Sequence, residues 1–275
     1  MWRKGILSLA YLTVDGADPL KHIKAAAASG YQAAGLRILQ PRHLQDLPAV
    51  VGNAPLIRAI RQACTHSGVS LLDAEVASLT QTTTRSELSA MVDAAAELRF
   101  EFIQTVSEDS DEQRASDNLA MLADLAGEAG LSIALEFMRF RQLATLQQAV
   151  HLIEMTGSSN VGLVIDALHL ARSGGTAADL ALVPPHLIAI AQLCDAPAVA
   201  PALEELPAEA RHGRLYPGAG ALPLSDLLDA LPDGLPLSIE VPNADYERWN
   251  YQERARRAIA ATSQLLAQRA ATFTN

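Results

Sequence analysis

Cysteine is scarce in this 275-residue chain. Cys64 and Cys194 are the only two, and neither sits in a CxxC or other zinc-type spacing. Two thiols in so long a chain form no disulfide framework and point to a reducing compartment, here read as the cytoplasm. Basic residues are also in deficit: Lys plus Arg number 21 against 31 Asp plus Glu, a formal net charge of −10. An acidic surface disfavours loose binding to nucleic acid or to an anionic membrane, and says nothing about a small-molecule substrate, which is the partner expected from the strand-end residues below. Long apolar runs are missing. The most apolar late stretch, from Leu180 to Cys194, is broken by Pro184, Pro185, His186 and Gln192, and it is shorter than the roughly 20 residues a bilayer requires. No GxGxxG follows the first apolar run and no GxxxxGK[ST] occurs anywhere, which counts against an open, doubly wound nucleotide-binding sheet.

The N-terminus mimics a short leader, because Arg3 and Lys4 precede an apolar run from Gly5 to Val14. No small-x-small cleavage site follows, only Asp15, Gly16, Ala17 and Asp18. The run is therefore read as a first core strand.

What the chain does have is a repeat and a large apolar fraction, 49% of residues. An Ala-rich helix ends, a glycine follows, and a short apolar run begins. Ala25–Ser29 leads through Gly30 into Gln32–Arg37, Arg61–Ser67 through Gly68 into Val69–Glu75, and Leu119–Ala129 through Gly130 into Leu131–Phe137. Glycine tolerates the left-handed conformation that ends a helix, and a short apolar run after it reads as a buried parallel strand. The pattern predicts strands starting near Gly5, Gln32, Val69, Glu101, Leu131, Val161, Leu187 and Pro236. Helices are expected over Pro19–Ser29, Pro55–Ser67, Arg85–Leu98, Glu112–Ala129, Leu143–Met155, Ala177–Val183, Leu224–Leu231 and Glu247–Gln268. Alternating strands and helices of this number and length predict one α/β domain over residues 1–275, a (β/α)8 TIM barrel. The irregular stretch from Ala196 to Ala221 reads as a lid or binding loop.

Chemistry shows at the strand ends. The fifth predicted strand ends in Glu136, the sixth in Asp166, the seventh in Gln192 and the eighth in Glu240. In a parallel barrel these ends share one face, the face that carries barrel active sites. Three carboxylates in one small pocket require a cation or protons. An all-oxygen set favours a hard divalent ion, Mg²⁺ or Mn²⁺. Glu136 and Glu240 are the candidate proton-transfer groups. His169, three residues after Asp166, is a candidate for the ligand region or for substrate hydroxyls. Arg214, just before the turn Pro217-Gly218-Ala219-Gly220, could lie as a guanidinium lid over an oxyanion or carboxylate, or face solvent. Arg37 and Glu75 end the second and third strands and could line the pocket or pair with each other. Trp2, Trp249 and Tyr251 are read as packing residues.

These residues carry a resemblance. Leu135-Glu136-Phe137, Val164 to His169, Gln192 to Pro197, Arg214 to Gly220 and Ser238 to Val241 together resemble the xylose-isomerase-like TIM-barrel superfamily of sugar phosphate isomerases and epimerases. The resemblance implies that Glu136, Asp166 and Glu240 bind one divalent metal and that Arg214 and His169 touch substrate. The superfamily usually places a His where this chain has Gln192. That departure resembles a branch with 3-dehydroshikimate dehydratases, so isomerase, epimerase and dehydratase outcomes stay open. An endonuclease IV type of DNA repair would need several His ligands for a zinc cluster, and the chain has 7 His in all, few of them at strand ends. A non-catalytic sugar-binding barrel is opposed by the retained carboxylate set. Barrels of this kind often pair through outer helices, so a homo-oligomer stays open too.

Overall fold

A computed structural model of the chain describes residues 5–39 and 49–272; Trp2, Arg3 and Lys4 lie outside them. The strands are β1 (Leu7–Leu9), β2 (Ala33–Arg37), β3 (Ser70–Leu79), β4 (Phe102–Ser107), β5 (Ser132–Glu136), β6 (Val161–Asp166), β7 (Ile188–Leu193) and β8 (Leu237–Ile239). They close in sequence order into a barrel, and the β1–β8 seam is parallel. The helices are α1 (Pro19–Ser29), α2 (Ala54–Ser67), α3 (Arg85–Leu98), α4 (Glu112–Glu128), α5 (Leu146–Thr156), α6 (Ala167–Arg172), α7 (Ala177–Leu180), α8 (Leu206–His212), α9 (Leu224–Ala230) and α10 (Tyr251–Thr272). No described helix is long and apolar enough to cross a membrane.

Local chemistry sets the helix boundaries. Asp18 accepts the backbone N–H of Lys21, and Pro19 opens α1 with no donor to lose. Thr84 and Glu87 cap α3 reciprocally, as Thr145 and Gln148 cap α5, so four otherwise orphaned backbone donors are satisfied. Gly30 and Gly68 end α1 and α2 at φ 87° and 73°, a left-handed conformation that costs glycine least. Two helices fall outside the sequence pattern. Asp166 caps α6 straight off the end of β6, and α8 lies inside the stretch expected to be irregular.

The barrel interior is stacked in tiers. Ala33, Leu72, Ala134, Val164 and Ile190 form an apolar cluster of their own, with Ile6 and Phe102 against it. Side chains alternate along a strand, so residues two further on face inward again. Those residues are Ser8, Gly35, Gln104, Glu136, Asp166 and Gln192, with Ser238 level with Gln192 and Ser8 in the pairing of β8. On β3 the alternation slips: pairing runs from Ala34–Leu71 to Leu36–Ala74, so β3 has one extra residue against Gly35. This bulge accounts for Asp73, directly after Leu72, reaching the same tier. An apolar plug thus closes the bottom of the barrel, and the tier above it is polar or glycine on every strand.

Candidate active site

Within the polar tier the side chains form a ring. Gln104 on β4 donates through Nε2 to Glu136 Oε2 at 2.8 Å. Gln192 on β7 donates through Nε2 toward Gln104 Oε1 and Glu240 Oε1, both at 3.5 Å. Arg214 donates to Glu240 Oε2 at 3.0 Å and to Asp166 Oδ2 at 2.5 Å. Its Nη2 lies 3.3 Å from His169 Nε2, and His169 Nε2 lies 3.7 Å from Glu136 Oε1. Glu136, Asp166, Gln192, Glu240, His169 and Arg214 therefore share one network, closed by Gln104. All are buried.

Ligand atoms of Glu136, Asp166 and His169 lie within 4.8 Å of one another, a spacing that one divalent ion would fit. The Gln192 amide oxygen is buried and accepts no hydrogen bond from the described residues, so it too is available to a cation or a substrate hydroxyl. Glu136 and Asp166, with His169 as an imidazole, offer mixed oxygen and nitrogen donors, compatible with Mg²⁺, Mn²⁺ or Zn²⁺. Glu240 reaches this group through Arg214 and Gln192 rather than directly.

The carboxyl groups differ in charge. Burial, then the charges of Glu240 and Asp166, pushes Glu136 well above the usual carboxylate range. Burial, with Glu75 and Asp166, pushes Glu240 up to about 8 even against the pull of Arg214. Burial also works against the charge of Asp166, but Arg214, His169 and the His169 backbone N–H outweigh it and hold this group low. Burial, aided by Arg214 and Arg141, lowers His169 to about 4, so its ring is neutral at physiological pH. One carboxylate is fixed as an anion, and two carboxyl groups are poised for protons.

Arg214 does not face solvent but lies buried against Asp166 and Glu240. It is 1% exposed and its Nε donates to the Ala210 carbonyl. Its position follows from the loop after β7. Asp195 and Leu215 exchange backbone hydrogen bonds at 2.8 Å each way. The Asp195 carboxylate accepts from the N–H groups of Ala196, Gly218 and Leu222. Gly220 packs so tightly here that a Cβ would stand 2.4 Å from the Ala196 carbonyl oxygen. The Pro-Gly-x-Gly turn and Asp195 together clamp the strand that carries Arg214.

Arg37 and Glu75 pair with each other, Nη2 to Oε2 at 3.5 Å, and Glu75 Oε1 also accepts the backbone N–H of Tyr11. The Arg37 guanidinium lies over the Tyr11 ring, 5.2 Å from its centre. Beside the site a cavity of about 430 Å³ is lined by Glu108, Arg139, Phe140, Arg141 and the Leu203–Pro207 turn. The Phe140 ring meets His169 edge-on at 5.7 Å, although no residue of the polar ring lines the cavity itself. Arg141 pairs with Glu108. Trp249 packs among Tyr246, Arg248 and Arg257, and the Tyr251 hydroxyl bonds the Gly16 carbonyl, as expected of packing residues. Sequence reasoning passed over Asp73, Gln104 and Asp195. Asp73 and Gln104 interrupt otherwise apolar strands, which is the signal that could have drawn attention to them.

Residues 23–266 match the family model described as xylose isomerase-like TIM barrel. A 3-dehydroshikimate dehydratase of Pseudomonas putida is 28% identical over 253 residues, covering 86% of this chain and 38% of that protein. An inosose isomerase of Halalkalibacterium halodurans is 27% identical over 155 residues, covering 54% of this chain and 52% of that protein. The chain thus spans well under two thirds of the dehydratase and aligns with about half of the isomerase. Among solved structures, the IOLI protein with a bound zinc atom superposes with a TM-score of 0.79 at 19% identity, covering 96% of this chain and 98% of that one. A D-psicose 3-epimerase with D-tagatose from Clostridium cellulolyticum H10 gives a TM-score of 0.72 at 14% identity, covering 95% of this chain and 98% of that one. The matched family model, the sequential closed barrel and the polar tier agree: this chain belongs to the xylose isomerase-like TIM-barrel family.

Proposed function

We propose that this chain is a divalent-metal-dependent isomerase or epimerase of a small polyhydroxy carbonyl compound. The observation that carries the reading is the buried cluster of ligand atoms on Glu136, Asp166 and His169, all within 4.8 Å of one another. Burial raises Glu136 and Glu240, while Arg214 and His169 hold Asp166 low. Glu136, Asp166 and His169 would hold the ion, with the free Gln192 oxygen and Glu240 beside them. When bound, such an ion supplies Lewis acidity that lowers the cost of charge on a substrate carbonyl oxygen.

The chain's own groups do the rest. Glu240, ionised, takes a proton from the carbon next to the substrate carbonyl, and the bond's electrons move onto the carbonyl oxygen as an enediolate forms. Arg214 and His169 lie beside the same carboxyl groups and hydrogen-bond the substrate oxygens. Glu136, on another wall of the barrel, returns the proton. Return to the opposite face gives an epimer, and return to the neighbouring carbon gives an aldose–ketose shift. The buried site keeps water from competing for the enediolate. Free Cys64 and Cys194 suit a cytoplasmic setting.

A second reading is a dehydratase, in which a β-hydroxyl leaves after the same deprotonation. Gln192 and the dehydratase match over most of the chain favour it. One experiment tests both. Purified protein is given inosose, D-psicose, D-tagatose and 3-dehydroshikimate with Mg²⁺ or Mn²⁺ in deuterated water, before and after chelation. Deuterium entering the carbon next to the carbonyl, lost on chelation, supports the first reading. Growth of enone or catechol absorbance selects the second. Activity indifferent to chelators, or no exchange with any compound, rejects the metal-dependent enediolate.

A further inference from the structure

We propose that Asp73 is a substrate-facing hydrogen-bonding residue whose carboxyl group, lodged over Gly35 in the polar tier, takes a hydroxyl group of the bound compound. The inference rests on the polyhydroxy substrate class proposed above. Asp73 is 1% exposed, yet neither of its carboxyl oxygens has a hydrogen-bond partner among the described residues. A buried polar group left unmatched is costly and calls for a cause. Arg37, on the neighbouring strand β2, pairs with Glu75 instead.

The chain is shaped to put the carboxyl group there. The extra residue in β3 turns Asp73 inward beside Leu72. Gly35 then leaves the space: a Cβ at this position would stand 2.7 Å from both Asp73 oxygens. The apolar plug lies directly beneath, so an aliphatic residue would fill the place at lower cost if packing were the only demand.

Two more unmatched groups share the tier, the hydroxyls of Ser8 and Ser238. Ser8 and Ser238 are partners across the β1–β8 seam. β1 lies across an eight-stranded barrel from β5, which carries Glu136. The tier that holds the ligand cluster thus also holds hydrogen-bonding groups on β1, β3 and β8 with no partner among the described residues. An anion is an unsuitable occupant, since Glu75 and Glu240 stand close enough to raise the charge cost of Asp73. Burial and those two neighbours hold the acid neutral, so it can donate as well as accept. A neutral hydroxyl, which also does both, is its chemical match.

The hydroxyl could belong to substrate or to a trapped water, and the two separate experimentally. Asp73→Leu, Asp73→Asn and Gly35→Ala are compared with the unaltered chain. Readouts are the thermal midpoint without ligand and calorimetric affinity for inosose, D-psicose and 3-dehydroshikimate in the Mn²⁺-loaded protein. The inference expects D73L to melt at or above the parent temperature while binding the preferred probe about tenfold or more weakly. D73N, which keeps a donor and an acceptor, should stay closer to the parent. G35A, which displaces the carboxyl group, should weaken binding as D73L does, and it carries the test alone if D73L does not fold. Unchanged affinity in D73L or G35A overturns the inference. A lowered melting point with intact binding points to a trapped water and overturns it as well. If the parent protein binds none of the three probes, the proposed function fails and this inference falls with it.

Discussion

Arg214 and Asp166 are joined at 2.5 Å inside the barrel, with the guanidinium 1% and the carboxylate 0% exposed. The same guanidinium reaches Glu240 at 3.0 Å. One cation from the loop after β7 thus holds two strand-end carboxylates that would otherwise repel. Breaking a buried pair by removing one partner costs about 3–5 kcal/mol, because a charge is left unmatched. Arg214→Ala should lose stability on this scale in urea unfolding. Added Mn²⁺ should restore part of it, since an ion bound by Glu136, Asp166 and His169 supplies the missing positive charge and favours the folded state by mass action. A variant as stable as the parent would show that Arg214 is not the counter-ion of this cluster.

Glu240→Gln keeps the shape and the hydrogen-bond capacity of the side chain but removes its proton chemistry. Gln192 donates to one Glu240 oxygen and Arg214 to the other, so the amide keeps one acceptor and gives up the longer contact, to Gln192. The fold should survive, with far-ultraviolet dichroism and melting temperature near those of the parent. Turnover of the preferred substrate should fall by about 10²–10⁴-fold, the usual worth of a general base. A purified variant with a near-normal rate removes Glu240 from the proton-transfer step and leaves it a structural partner of Arg214.

The barrel was legible in the sequence because its signals are local. The predicted strand starts near Gln32, Val69, Glu101, Leu131, Val161 and Leu187 lie within one residue of the observed ones. A glycine marks where α1, α2 and α5 stop, and a capping carboxylate where α1 and α4 begin. Helix α6 was not legible, since it begins with no intervening loop and its cap, Asp166, already counted as a strand end. Glu136, Asp166, Gln192 and Glu240 were visible as polar residues closing apolar runs. Asp73 shares a face with Glu75 by simple alternation and was legible to that extent, but its arrival in the polar tier directly after the inward-facing Leu72 depends on the extra residue of β3. A bulge is defined by its partner strand, and pairing register cannot be read from one strand alone. The burial of Arg214 was hidden for the same reason: Asp195, which clamps its segment, lies 19 positions away in sequence.

The clamp at Asp195 makes a separate prediction. Its carboxylate accepts three backbone N–H groups, and Gly220 leaves no space for a side chain beside it. Asp195→Ala should destabilise the protein by about 2 kcal/mol, allowing water to replace part of what is lost. Because Leu215 pairs with the Asp195 backbone, Arg214 should also lose its fixed position. Turnover should then fall by more than the folded fraction does, as measured at a temperature where the variant is fully folded. Gly220→Ala should reproduce both effects through the clash with the Ala196 carbonyl. Activity that simply tracks the folded fraction in both variants would separate the loop from the site.

His22 gives the stability a pH dependence that can be isolated. Its ring is 0% exposed. Its Nε2 lies 3.0 Å from the Leu9 carbonyl and its Nδ1 has no partner among the described residues. Burial lowers its pKa to about 4, against 6.5 in the ordinary case. The folded protein therefore binds fewer protons at this site than the unfolded chain between those two values. The sign follows: full stability is kept above about pH 6.5 and is lost as the pH falls toward about 4, where the cost reaches about 3 kcal/mol. His22→Gln retains a donor for Leu9 and removes the titration. Urea unfolding at pH 7 and pH 4.5 should show the gap between parent and variant narrowing at the lower pH, as the parent alone suffers this loss. A gap that is constant, or that widens, would place the acid sensitivity in other groups, His169 first among them.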